Sequence, residues 1–315
     1  MPRERHPIRS LLEVGLVRSL FLVLGAIPPR SRVFLGRILG LSLYHLVPRL
    51  RVMALANLER ALGETRPLEE RVAIAKGSFA YLGRLLCDTP AFSKVRARQM
   101  EKFAVFEGLE HVQRAYAKGR GVFVFSGHYG NWEMVALLQG YLGMPLAMVT
   151  RPLDNPRLER ILFGYRTLSG NQVIHKRGAA KEMLRAIRRG WGVAIVIDQN
   201  VRGEDGIFVD FFGTPASTTP ALATLALKTD APIVPVFGIP LPDGRYLVRY
   251  LPEVEFQRSG DRRQDIADLT QRCTRIIEDQ IRRQPEFWVW MHRRWRTRPR
   301  QDRSETRHEP REASA

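Results

Sequence analysis

The sequence predicts an α/β fold, a central mixed sheet flanked by helices, with a helical segment at the N-terminus. From Phe103 onward, short apolar runs alternate with helix-length segments, which is the pattern of a layered α/β domain. Before that point the apolar residues recur at helical spacing, as Val52, Leu55, Leu58 and Leu62 illustrate. A chain of 315 residues that is 44% hydrophobic is long enough to bury a full core around such a sheet.

The N-terminal segment is predicted to form two short amphipathic helices. The stretch Leu11–Ile27 is mostly apolar but contains Glu13 and Arg18, and a spanning helix needs about 20 apolar residues with few charges. It has no small-residue cleavage site, which argues against a signal peptide. A second apolar run covers Val33–Val47, and arginines flank both runs. We interpret the pair as an interfacial anchor on anionic membrane lipid. A helical hairpin packed on the protein itself and a tilted span are the alternatives.

The remaining elements follow from the spacing of apolar residues. Helices are predicted over Arg51–Leu62, over Leu68–Pro90 and, late in the chain, over Gln264–Arg283. The predicted strands are Phe103–Phe106, Gly121–Phe125, Leu146–Val149, Val193–Ile197, Ile233–Phe237 and Tyr246–Tyr250. We therefore divide the chain into membrane-associating helices at 1–47, a domain at 48–296 and a polar tail at 297–315 that is predicted to be disordered.

Charge and cysteine content limit the classes of partner. The formal net charge is +18, which predicts a negative partner such as an anionic membrane, an acidic protein or a nucleic acid. The only cysteines, Cys87 and Cys273, are far apart in helix-like stretches, so neither a disulfide framework nor a zinc site is predicted. The sequence also lacks a Gly-x-Ser-x-Gly elbow, a His-Glu-x-x-His motif and a P-loop.

The segment Gly121–Glu133 is the strongest candidate for catalysis. His128 follows a buried strand directly, at the edge where α/β sheets place their ligand sites. Asn131 is predicted to cap a helix whose first turn holds Glu133. The Glu133 carboxylate is expected to reach one imidazole nitrogen, so that the other nitrogen accepts a proton. Backbone N–H groups near Gly130 and Asn131 are expected to bind a substrate oxyanion. A structural loop histidine and a first-turn glutamate favoured by the helix dipole are the alternative.

Two further polar residues follow predicted strands. Arg151 and Asp198 each come directly after an apolar run, so a parallel sheet would gather them beside His128. Arg151 suits phosphate recognition, because guanidinium binds phosphate bidentately. Asp198 is expected to orient Arg151 or to bind a sugar hydroxyl, and Arg166 is a further substrate-binding candidate. A surface charge at Arg151 and a turn cap at Asp198 are the alternatives.

The C-terminal block is rich in tryptophan and arginine. Its tryptophans fit either an aromatic belt beside lipid headgroups or the underside of a helix. Phe208, Phe211 and Phe212, earlier in the chain, fit an acyl-chain channel or the core equally well. The densest cationic run is the first candidate for docking an acidic carrier protein, and it consists of Arg293, Arg294, Arg296 and Arg298.

The segment His128-Tyr-Gly-Asn-Trp-Glu133 matches the HX4(D/E) motif of the glycerolipid and lysophospholipid acyltransferases. In its fuller form it resembles the branch of bacterial lipid A late acyltransferases, the lauroyl and myristoyl transferases. Further blocks in the same order resemble this branch, and they are Arg49–Leu58, Thr150–Pro156, Asp198–Asn200 with Gly206–Ala216, Thr229–Pro235 and Pro285–Pro299.

This resemblance implies an active site at the cytoplasmic face of the bacterial inner membrane. It implies transfer of a fatty acyl chain from acyl carrier protein, or from CoA, to a hydroxyl of a lipid A precursor. His128 would be the general base and Glu133 its partner, with no metal or cofactor. The rivals are an acyl-CoA-dependent enzyme acting on another glycolipid or lysophospholipid, a non-catalytic membrane scaffold, and a basic nucleic-acid-binding protein. We expect no nucleic-acid partner.

Overall fold

A computed structural model describes residues 7–150, 153, 155–175 and 178–299. The N-terminal part is helical, as the spacing of apolar residues predicts. The helices are α1 (Pro7–Ala26), α2 (Pro29–Leu46), α3 (Pro48–Leu62) and α4 (Leu68–Asp88). Proline is the first residue of α2 and of α3, where its missing N–H group leaves no hydrogen bond unmade.

Helix α2 presents two different faces. Its inner face lies against α4, and a Cβ atom added at Gly36 or Gly40 would collide with the α4 backbone. Its outer face is apolar and open, with Phe34 64% and Ile38 49% exposed. The inner face therefore fits a hairpin packed on the protein, whereas the outer face fits an interfacial anchor.

No single helix in the described part of the chain has both the length and the apolar composition to cross a membrane. Helices α2 and α3 would pass that test only as a pair, bent by 94°.

A mixed sheet forms the centre of the fold, as predicted, and it has seven strands. Its order is β1-β9-β8-β2-β5-β3-β4, and all neighbouring pairs are parallel except β8 with β9. The strands are β1 (Ala104–Glu107), β2 (Val122–Ser126), β3 (Leu146–Thr150), β4 (Gln172–His175), β5 (Gly192–Val196), β8 (Ile233–Pro240) and β9 (Tyr246–Tyr250). A separate antiparallel hairpin contains β6 (Ile207–Phe211) and β7 (Thr214–Thr218).

Helices connect and flank these strands. They are α5 (Leu109–Ala117), α6 (Trp132–Tyr141), α7 (Pro156–Thr167), α8 (Ala179–Arg188), α9 (Ala221–Thr229) and α10 (Arg262–Arg283). The late helix was predicted, and it begins two residues early because Asp261 caps it by accepting from the amides of Arg263 and Gln264. Strand β4 and the β6–β7 hairpin were not predicted. Strand β4 lies at the sheet edge and buries only Ile174, so its sequence shows little apolar periodicity.

Both interpretations of the C-terminal tryptophans are wrong. Trp288, Trp290 and Trp295 are 1%, 0% and 5% exposed, so they cannot form a belt at lipid headgroups, and their segment is irregular rather than helical. They contact one another or Phe211 in the core, where Phe212 is also buried. Trp288 and Trp295 pack against Phe211 of the β6–β7 hairpin, because burying aromatic area is strongly favourable.

The predicted C-terminal tail is only partly described. Thr297 is hydrogen-bonded to Asn200, so the ordered chain extends past the predicted boundary at 296. Residues 300–315 lie outside the described part of the chain, and so does the prediction of disorder for them.

Candidate active site

His128 and Asp198 lie side by side at one edge of the sheet. Strands β2 and β5 are parallel neighbours with Ser126 opposite Val196, so the residues that follow them emerge together. The structure thus confirms that these two strand ends meet. Strand β3 is parallel to β5 and ends at Thr150 on the same edge. Arg151 comes next in the chain but lies outside the described residues.

Asp198 makes three hydrogen bonds, one of which orients the His128 ring. Asp198 Oδ1 lies 2.7 Å from His128 Nδ1, and Oδ2 accepts from the His128 amide at 2.6 Å. The indole Nε1–H of Trp288 also donates to Oδ2, at 2.7 Å. The carboxylate side chain is 2% exposed, whereas the imidazole is 25% exposed. Asp198 is therefore a buried acceptor that places the Nδ1–H group and leaves Nε2 on the open side.

The two groups shift each other's pKa. Burial raises the pKa of Asp198, but the charge and hydrogen bonds of His128 and the Trp288 indole lower it to about 2. Burial lowers the pKa of His128, but the charge and hydrogen bond of Asp198 and the charge of Glu133 outweigh it and raise the pKa above its ordinary 6.5. Asp198 therefore stays ionised beside His128, whose imidazole is more basic than usual.

The second imidazole nitrogen is accessible to a ligand. The Gln199 side-chain amide lies 3.0 Å from His128 Nε2, and Gln199 itself is exposed. Trp132 contacts the imidazole edge-on with the ring centroids 4.9 Å apart. An Nε2 that accepts from Gln199 is unprotonated, which is the form that a general base requires.

The expected hydrogen bond between Glu133 and the imidazole is not formed, and Asp198 takes that position. Glu133 pairs instead with Arg166, whose Nε lies 2.9 Å from Oε2 and whose Nη2 lies 2.5 Å from Oε1. Arg166 comes from α7, which packs beside α6 and brings a permanent cation to the first turn of that helix. Glu133 thus acts on His128 through its charge alone, and the structure brings it together with Arg166.

The expected oxyanion donors are already in use. The amide of Gly130 donates to Phe287 O at 2.9 Å, and the amide of Asn131 donates to Gly238 O at 2.8 Å. Gly130 has a φ of +57°, and a Cβ there would collide with the Gly238 carbonyl. The Asn131 side chain caps α6, as predicted, by accepting from Met134 N at 3.0 Å. The amides of Gly130 and Asn131 therefore join the His128 turn to Phe287 and to β8, and they are not substrate donors in this structure.

A cavity of about 160 Å3 opens beside the histidine. Its lining residues come from the two strand ends and from the C-terminal block, and they are His128, Asp198, Gln199, Trp288, Val289, Met291 and His292. Trp288, Gln199 and His292 were not predicted as site residues. The only sequence signal for them was membership of blocks that resemble known enzymes. Among the described residues, no group of three or more His, Cys, Asp or Glu side chains is arranged to hold a metal ion.

The fold and the site define an α/β enzyme whose histidine is oriented by a buried carboxylate at the carboxyl edge of a parallel sheet. Residues 2–297 match the sequence profile of the family described as bacterial lipid A biosynthesis acyltransferase. The chain belongs to this family and is an acyltransferase.

Three relatives are similar to this chain over most of their length. A lipid A biosynthesis acyltransferase of Haemophilus influenzae is 25% identical over 88% of this chain and 85% of its own. The lipid A biosynthesis palmitoleoyltransferase of Escherichia coli is 28% identical over 84% of this chain and 85% of its own. The lipid A biosynthesis lauroyltransferase of the same species is 27% identical, covering 77% and 78%.

Proposed function

We propose that this protein transfers a fatty acyl chain from an acyl thioester to a hydroxyl group of a lipid A precursor, at the cytoplasmic face of the inner membrane. One observation carries the proposal: an imidazole held at Nδ1 by a buried carboxylate, with Nε2 facing a cavity. The names of the relatives, which include palmitoleoyl and lauroyl transferases, support the choice of lipid A as the acceptor.

The proposed chemistry is direct transfer. His128 Nε2 takes the proton of the acceptor hydroxyl while the hydroxyl oxygen attacks the thioester carbonyl carbon. Asp198 stabilises the imidazolium that forms, because its carboxylate accepts the Nδ1–H bond throughout. When the tetrahedral intermediate collapses, the carbon–sulfur bond breaks and the proton passes from His128 to the departing thiolate. General-base assistance of this kind contributes roughly 10²–10⁴-fold to the rate.

The Glu133–Arg166 pair is the proposed acceptor-binding element. Arg166 uses Nε and Nη2 on Glu133, and Nη1 has no partner among the described residues. A guanidinium with a free N–H group suits a phosphate of the acceptor. Arg151 is proposed to assist, because it follows Thr150 at the same sheet edge.

Acyl carrier protein is the proposed donor, with CoA as the alternative. The surface next to the cavity keeps three exposed arginines of the cationic run, Arg293, Arg296 and Arg298. The fourth, Arg294, is 0% exposed and donates to Ser217 O and to the Thr218 hydroxyl, so it cannot dock a carrier.

Changing the three exposed arginines to glutamine is expected to raise the KM for the carrier-linked donor, as added salt would, because exposed charges are screened over about 8–10 Å. The matched control changes Arg185, Arg188 and Arg189, which are exposed near the end of α8 and lead into the opposite end of β5. Equal donor KM values for the two triple variants would remove the docking role.

The function is tested with purified protein in detergent, a lipid A precursor, and carrier-linked or CoA-linked acyl donor, with mass spectrometry of the product. The wild-type protein should add one acyl chain, and His128→Ala should abolish the product. His111→Ala is the control, because His111 on α5 is also a partly exposed histidine, with 23% exposure. Product formation by folded His128→Ala at the wild-type rate would disprove the mechanism.

A further inference from the structure

The proposed reaction needs a hydrogen-bond donor for the thioester carbonyl oxygen, which gains negative charge as the hydroxyl attacks. The amides of Gly130 and Asn131 are engaged by backbone carbonyls. Neither residue lines the cavity beside His128. The donor must therefore be sought among the residues that do line it.

Several donors in this cavity already have acceptors. The Trp288 indole donates to Asp198, and the Val289 amide donates to His128 O at 3.2 Å. The Gln199 amide group contacts His128 Nε2, the position that the acceptor hydroxyl must approach. His292 differs from these residues. Its Nδ1 is buried without a hydrogen-bond partner, and the ring bonds no other described residue.

The backbone carbonyl of His292 accepts two hydrogen bonds. The carbonyl of His292 accepts from Asn57 Nδ2 at 2.7 Å and from the Arg294 amide at 2.9 Å. Asn57 also donates to Trp290 O at 2.7 Å, so one side chain on α3 holds two residues of the segment 288–292, which lines the cavity. The backbone of His292 is therefore positioned by contacts that do not use the ring nitrogens, and Nδ1 has no protein partner among the described residues.

The surroundings keep His292 uncharged. Burial lowers its pKa below the ordinary value, and the charges of His128 and Arg294 lower it further, while Asp198 opposes them. A neutral imidazole has one N–H donor and one acceptor. It can donate to a developing oxyanion without competing with His128 for the proton of the hydroxyl.

We propose that His292 is a second catalytic residue, which donates its ring N–H to the thioester carbonyl oxygen as that oxygen becomes an oxyanion. This inference rests on the proposed function. The carbonyl carbon forms its bond to the acceptor oxygen, the electron pair of the C=O bond moves to the oxygen beside His292, and the pair returns as the thiolate leaves. His292 keeps its own proton throughout.

Two substitutions separate hydrogen bonding from packing. His292→Phe keeps an aromatic ring of similar size and removes the donor, whereas His292→Gln keeps an N–H donor. We expect His292→Phe to lower kcat about 10²–10³-fold, the usual effect of losing one oxyanion donor. The donor KM should change little, because the bond strengthens only in the transition state. His292→Gln should recover part of kcat, and both variants should unfold near the wild-type temperature.

A further readout is the pH profile. His128 sets the acid limb, so that limb should stay in place in His292→Phe while the plateau falls. Wild-type kcat in His292→Phe would overturn the proposal. Equal losses in the Phe and Gln variants, together with lower unfolding temperatures, would also overturn it and assign His292 to packing. If His128→Ala is inactive while His292→Phe is fully active, only this inference fails. If His128→Ala retains wild-type activity, the proposed function itself fails.

Discussion

Two buried aspartates, Asp198 and Asp88, each accept hydrogen bonds from three donor groups, but Asp198 accepts from a histidine that lines a cavity. Asp198 accepts from the His128 ring, the His128 amide and the Trp288 indole. Asp88 accepts from Arg32 Nε at 3.0 Å, from Arg84 Nε at 3.2 Å and from the Tyr246 hydroxyl at 2.6 Å. Both carboxylates are almost fully buried.

The difference lies in the donors. The main partner of Asp198 is an imidazole that can gain or lose a proton and that faces a cavity. Asp88 faces two guanidinium groups, which stay charged, and they donate elsewhere to the Ile27 and Leu241 carbonyls. Asp88 therefore joins α2 and the β8–β9 connection to α4, which is a structural role. A buried carboxylate thus indicates a reactive site only when its partner titrates and is open to a ligand.

The largest expected effect is that of Asp198→Asn on activity. The asparagine oxygen should remain with the His128 amide and the indole, which places the NH2 group against His128 Nδ1. That contact forces the hydrogen onto Nε2 and removes the base, so kcat should fall by roughly 10²–10⁴-fold. Steady-state kinetics and thermal unfolding check this. A folded Asp198→Asn protein with wild-type kcat would contradict the role of Asp198.

Asp88→Ala should have the opposite profile. It leaves Arg32 and Arg84 buried without a counter-charge, so the free energy of unfolding should fall by about 3–5 kcal/mol. The specific activity of the folded protein in detergent should remain near wild type. Asp243→Ala is the control, because Asp243 pairs with Arg245 at the surface and should leave unfolding nearly unchanged. Denaturant titration and activity assays measure the two effects. Loss of activity in Asp88→Ala without loss of stability would contradict the structural role of Asp88.

Changing the outer face of α2 should have a smaller effect, on binding to membranes. The inner face of the same helix carries Arg32, which pairs with Asp88. Phe34→Glu with Ile38→Glu should release the protein from anionic vesicles, because burying each side chain contributes about 1.5–3 kcal/mol. The inner face is untouched, so unfolding in detergent should not change. Val105→Glu on the edge strand β1, at a position 39% exposed, is the control. Equal sedimentation of the double variant and the control with vesicles would place the anchor elsewhere.

The smallest expected effect is a change in the pKa of His128. The pKa is raised, so activity should increase with pH through a midpoint above 6.5, because only the neutral ring accepts a proton. Glu133→Gln removes one of the charges that raise the pKa and leaves Arg166 unneutralised, so the midpoint should move down. NMR titration of labelled histidine measures this shift, with His128→Ala identifying the resonance. An unchanged or raised midpoint in Glu133→Gln would contradict the electrostatic role of Glu133.

The edge that carries the site could be predicted because it depends on local patterns. Apolar runs fix the ends of β2 and β5, and parallel pairing then brings His128 to Asp198. The partners of these residues could not be predicted, because they depend on long-range packing. Trp288 lies ninety positions from Asp198 in sequence. Helix α7 brings Arg166 close to Glu133, so Glu133 pairs with Arg166 and not with the imidazole. Similarly, the Gly238 carbonyl on β8 accepts a hydrogen bond from the Asn131 amide.

The cavity is lined by His128 on one side and by residues of the segment 288–292 on the other. Because these residues are far apart in sequence, they are synthesised at different times. Chains grow at about 5–20 residues per second. Helix α2 therefore leaves the ribosome well before the segment that holds Trp288 exists. Until Trp288 has been made, Asp198 lacks the indole hydrogen bond that holds its carboxylate beside His128. The catalytic site is therefore completed only when the segment 288–292 has been made and docked, with Asn57 holding two of its carbonyls.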